Sequence, residues 1–70
     1  MKKGVVKEYD PSKGFGFITG QNNEDYFVHV SGLRDHLQAS GLRAGQNVSF
    51  DIDFWMRGDK AINVRIDGSV

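Results

Sequence analysis

Two pairs of residues in this 70-residue chain carry side chains suited to holding a planar ligand. Phe15 and Phe17 are two apart, as are Phe27 and His29, and residues at that spacing in an extended chain point to one face. Gly14 and Gly16 alternate with the two phenylalanines and have no side chains to cover them. The pattern predicts a bare aromatic platform, and nucleic-acid bases are the planar partners such platforms serve. His29 adds a ring that can stack on a base and, when protonated, contact phosphate. The chain does not read as an enzyme: its acidic residues are scattered, no nucleophile–base pair is evident, and there is no G-x-x-x-x-G-K-[ST] phosphate loop. Its two histidines, His29 and His36, are joined by no cysteine, so neither a metal nor any other cofactor is expected.

Such side chains need strands to hold them. Five stretches read as strands: Lys3–Tyr9, Phe15–Thr19, Asp25–Val30, Val48–Phe54 and Lys60–Ile66. Asp10–Gly14 reads as a turn, because Pro11 presets φ and Gly14 releases the chain. Gly20–Glu24 and Met56–Asp59 are polar turns of the same kind. In the fourth stretch Val48, Phe50, Ile52 and Phe54 alternate with polar residues, which predicts one apolar face. Ala61, Ile62 and Val64 are the apolar members of the last, while Ile18 and Val28 are better core candidates than Phe15 and Phe17. Residues 31–46 form a long connection in which Ser31 is expected to cap one helical turn over 31–37. Five short antiparallel strands hide their edges best by closing. The expected fold is therefore all-β, a small five-stranded antiparallel OB-type barrel, with residues 1–70 as one domain.

Nine basic and nine acidic residues cancel. Neutrality argues against tight non-specific binding to duplex DNA, which depends on counterion release, but leaves stacking untouched. The start, Met1-Lys2-Lys3-Gly4, leads into a strand pattern rather than an apolar run, unlike a signal peptide. No stretch approaches the ~20 apolar residues of a membrane span. The absence of cysteine fits a reducing compartment, and the cytoplasm is the expected setting.

The run Lys13-Gly14-Phe15-Gly16-Phe17-Ile18 and the run Asp25-x-Phe27-Val28-His29-x-Ser31 together resemble the two nucleic-acid motifs of the bacterial cold-shock domain family. Gly4-x-Val6-Lys7, Gly45-Gln46-x-Val48-Ser49-Phe50 and Asn63-Val64 resemble its other strands, so the likeness covers nearly the whole chain. The resemblance implies a barrel that binds single-stranded RNA or DNA, tolerates pyrimidine-rich sequence, and acts as an RNA chaperone or a regulator of transcription or translation. It implies a ligand surface made of Lys7, Tyr9, Lys13, Phe15, Phe17, Asp25, Phe27, His29 and Arg57.

Three departures from the family pattern bear on that surface. Glu8 stands where the family has Trp, Val30 where it has Phe, and Asp35-His36-Leu37-Gln38 where it has a loop aromatic. Fewer platforms, and a negative charge at Glu8, predict weaker binding than in a full-motif relative. Trp55 reads either as cover for a barrel edge beside Phe54 or as a relocated stacking surface, and Lys60 as a further candidate cation. A monomer is expected, with a dimer by strand exchange through the long loop left open. The rival reading is a protein-interaction module on the same barrel with weak or lost nucleic-acid binding.

Overall fold

The computed structural model describes residues 2–55 and 58–67, without the side chains of Asp35 and Trp55. Five strands form in chain order: β1 (Lys2–Asp10), β2 (Phe15–Gly20), β3 (Asp25–His29), β4 (Asn47–Trp55) and β5 (Gly58–Ile66). They close into a barrel in the order β1-β2-β3-β5-β4. Four seams are antiparallel, as expected, but β3 meets β5 in parallel, with Phe27 opposite Lys60 and Val28 opposite Ala61. The reason is geometric. Strand direction cannot alternate all the way round a ring with an odd number of members, so at least one seam must be parallel.

The core follows from strand alternation. In β2, Gly16, Ile18 and Gly20 face inward and are buried, while Phe15, Phe17 and Thr19 are only half-buried on the outer face. Val6, Ile18, Val28, Val48, Phe50 and Val64 fill the interior, and the Tyr26 and Phe50 rings meet there at 5.3 Å. Ala61 and Val64, three apart, are both buried. A regular strand forbids this, but β5 carries an extra residue in the register between Ser49 and Asp51 of β4. Asn63 lies in that segment at φ 52°, the left-handed conformation that Asn tolerates.

Three expectations need correction. The helical segment is split and runs further than 31–37: a 3-10 turn spans Val30–Gly32 and α1 spans Asp35–Ser40. The turn is capped by His29, not Ser31, because the imidazole accepts the Ser31 N–H. Phe54 does not join the apolar face of β4; it is 82% exposed. β3 pairs with β5 only at Lys60 and Ala61, so the β4–β5 hairpin runs on past Asp53 and Lys60 with no strand paired beside it, and Phe54 is left exposed.

Candidate nucleic-acid interface

The aromatic surface is built by register. Across the outer face one row runs Glu8, Phe17, Phe27, Lys60 and Asp53, over β1, β2, β3, β5 and β4 in turn. The next row is Asp10, Phe15 and His29; on the other side lie Val5, Thr19 and Asp25. Phe27 sits between the other two rings, 5.8 Å from Phe15 at an interplanar angle of 32° and 6.0 Å from Phe17 at 73°. Offset and edge contacts at these distances are the favoured arrangements for aromatic pairs, so the rings hold one another in place. All three are partly buried, which leaves one side of each open.

A bulge decides what borders the rings. β1 shifts register between Val6 and Glu8, so Lys7 and Glu8 together oppose Phe17. Both are exposed on the outer side, although neighbours in a regular strand would point to opposite faces. This revises the role of Gly16. Its vacant side meets the backbone of β1, and it lines a hollow beside Phe15 and Phe17. A Cβ there would collide with the Glu8 carbonyl oxygen and the Tyr9 Cα, so glycine permits the close approach of the bulged β1 backbone.

The polar groups around the rings are held by specific bonds. Lys7 Nζ donates to Asp25 Oδ2 at 3.0 Å, and Thr19 Oγ1 donates to Asp25 Oδ1 at 2.8 Å. The Lys7 bond, then that of Thr19, holds the Asp25 carboxyl below its usual range, and the Asp25 bond raises Lys7. The pair is exposed, so it is weak and screened by salt, and Lys7 can exchange Asp25 for a phosphate at little cost. Ser31 N–H donates to His29 Nδ1 at 3.1 Å, which fixes the ring proton of a neutral His29 on Nε2, facing outward. Lys13 is exposed in the β1–β2 turn. That turn is fixed by Asp10, whose Oδ1 accepts from Ser12 N–H at 3.0 Å and from the Ser12 hydroxyl at 2.6 Å. The Ser12 hydroxyl bond holds the Asp10 carboxyl low as well.

The structure thus brings Lys7, Glu8, Phe15, Phe17, Asp25, Phe27, His29 and Lys60 to one face. Lys60 also approaches Asp53, at 3.9 Å. Tyr9 borders this face: its ring packs against the core and beside Gly41, it also lines the hollow beside Phe15 and Phe17, and burial pushes its phenol up. Other candidates lie elsewhere. Val30 packs on the core near Gly14 and offers no platform. His36 is exposed on α1, outside the strand rows. Arg57 and the Trp55 side chain fall outside the described residues.

A shallow hollow of about 240 Å³ lies beside Phe15 and Phe17, lined also by Glu8, Tyr9, Asp10 and Lys13. A larger one of about 450 Å³ opens at the barrel end between Lys2, Lys3, Asn22 and Tyr26, and no platform residue lines it. Stacking needs an open flat face rather than volume, so the smaller hollow bears on the site.

With that geometry in view, residues 2–66 match the "'Cold-shock' DNA-binding domain" family. The chain belongs to the cold-shock domain family. Cold shock protein CspC of Bacillus subtilis (strain 168) is 43% identical over 68 residues, covering 93% of this chain and 97% of that protein. A major cold shock protein of Streptococcus pyogenes serotype M6 is 42% identical over 67 residues, covering 91% and 94%. Cold shock protein 1 of Lactiplantibacillus plantarum is 45% identical over 67 residues, covering 91% and 96%. The cold-shock domain is a nucleic-acid-binding domain and not an enzyme. Among the described residues no helix is long and apolar enough to cross a membrane.

Two contributors to this cold-shock surface escaped the sequence reading. Thr19 holds Asp25, and Ser31 orients His29. For Ser31 the signal lay in His29 rather than in the serine, since the bond uses a backbone N–H that any residue but proline carries. For Thr19 there was none, because its partner lies six residues away across the β2–β3 turn.

Proposed function

We propose that this cold-shock domain binds short single strands of RNA or DNA by stacking bases on Phe15, Phe17, Phe27 and His29. Lys7, Lys13 and Arg57 take the phosphates. The observation that carries this reading is the cluster of three rings on the outer face, with Phe27 in contact with both Phe15 and Phe17. Each stacked base is worth ~1–3 kcal/mol by alanine substitution, so these four platforms hold a strand without sequence-specific contacts. They also trap unpaired bases, which shifts a weak hairpin toward the open form; this is the physical basis of a chaperone or regulatory role. The reading needs one copy of the chain, and pyrimidine-rich strands are tolerated because every base has a π-face. The cytoplasm is the proposed place of action.

Titration with a pyrimidine-rich heptamer at several salt concentrations tests the reading. Amide shifts are expected at Phe15, Phe17, Phe27 and His29. About three phosphate contacts give a slope of log K against log salt near −2. A flat salt dependence, or shifts confined to other strands, would refute it.

A further inference from the structure

Glu8 heads the row that contains Phe17 and Phe27, and the β1 bulge sets it directly opposite Phe17 on the outer face. Its carboxylate is exposed and makes no hydrogen bond or ion pair among the described residues. Lys13 borders the hollow beside Phe15 and Phe17, and Lys7 feels the Glu8 charge without bonding to it. Lys7 is turned toward Asp25 at 3.0 Å, and Asp10 is engaged by Ser12. Glu8 lines the same hollow. A base lying on Phe17 therefore extends its edge toward a group that can only accept hydrogen bonds.

The four bases differ sharply toward such a group. Guanine presents two adjacent donors, N1–H and the N2 amino group, which match the two oxygens of a carboxylate. Cytosine and adenine present one amino group beside an acceptor nitrogen. Uracil and thymine present a single N–H between two carbonyl oxygens, whose lone pairs face the carboxylate. We propose that Glu8 is a specificity residue that makes the Phe17 subsite favour guanine over uracil or thymine. The inference rests on the stacking reading above and adds to it a base edge read in the plane of the stacked ring.

The test uses competition by fluorescence anisotropy. The probes are an all-uridine heptamer and seven variants, each with one guanosine. For the unaltered protein, one position is expected at which guanosine tightens binding by about fivefold or more, the lower end of a bidentate base contact. In Glu8→Gln the amide both donates and accepts, so the guanosine gain is expected to fall within about twofold, while the all-uridine strand binds more tightly as repulsion is lost. A scan with no favoured guanosine position, or a gain that survives Glu8→Gln, overturns the proposal. Phe17→Ala separates the two readings. If it weakens every heptamer while the guanosine scan is flat, only the role of Glu8 falls. If no heptamer binds, or Phe17→Ala changes nothing, the stacking reading falls and takes this proposal with it.

Discussion

Phe27→Ala is the most direct perturbation of the platform, because Phe27 touches both other rings. Two quantities must be kept apart. The binding loss is one stacked base, ~1–3 kcal/mol, or roughly 5–150-fold in Kd. The stability loss comes from a ring that is mostly buried. Full burial of Phe costs about 3–5 kcal/mol on truncation, so roughly 2–4 kcal/mol is expected here. For a domain of this size that lowers Tm by about 8–32 °C. Binding must therefore be measured well below the new midpoint, with circular dichroism confirming the fold at that temperature. Phe27→Leu serves as a companion, since it keeps most of the volume and removes the flat π-face. A ring contact releases no counterions, so the weakened variants should keep the salt slope of the parent. The reasoning is refuted if folded Phe27→Ala and Phe27→Leu both bind within about twofold of the parent. It is also refuted if the loss in affinity comes with a shallower salt slope, which would make the contact electrostatic.

Glu8→Trp should tighten binding of any single strand by up to the ~1–3 kcal/mol of one added platform, read by anisotropy, because Glu8 already lies in the row of Phe17 and Phe27. Gly16→Ala should destabilise the fold by about 1–3 kcal/mol, as overpacking does; a thermal midpoint equal to the parent would show that the β1 bulge has room to spare. Asp25 and Asp10 have folded pKa values below their unfolded ones, so the stability they contribute is full above the ordinary Asp pKa of about 4 and lost as pH falls through the lower folded values. Thermal unfolding between pH 7 and pH 2 should therefore show a steeper acid loss for the parent than for Asp25→Asn, and parallel curves would contradict the Lys7 and Thr19 bonds. Lys13→Gln should reduce the magnitude of the salt slope by about 0.7, the share of one phosphate contact on a single strand.

The strands and the platform were legible because both follow from local rules. Alternation alone placed Phe15 with Phe17 and Phe27 with His29, and separated them from Ile18 and Val28 in the core. The turn at Asp10–Gly14 was readable for the same reason, since Pro11, Ser12 and Gly14 act within one turn. The misread pieces were those whose state depends on distant neighbours. Phe54 fits an apolar face by period, yet burial needs a partner, and β3 ends its pairing before reaching it. The helical segment moved because His29 accepts the Ser31 N–H and so caps the first turn itself.

From the sequence alone came a five-stranded closed sheet and an outward-facing aromatic cluster of Phe15, Phe17 and Phe27, because side-chain alternation and turn chemistry are properties of a few consecutive residues. Only the tertiary structure decided that the ring closes through a parallel β3–β5 seam, since that is a constraint on five strands at once. It also decided what surrounds the rings. The β1 bulge sets Lys7 and Glu8 on one face, Gly16 gives that bulge its clearance, and Asp25 draws Lys7 aside. A cation and an unpaired carboxylate thus border the platform together, which no reading of a regular strand predicts.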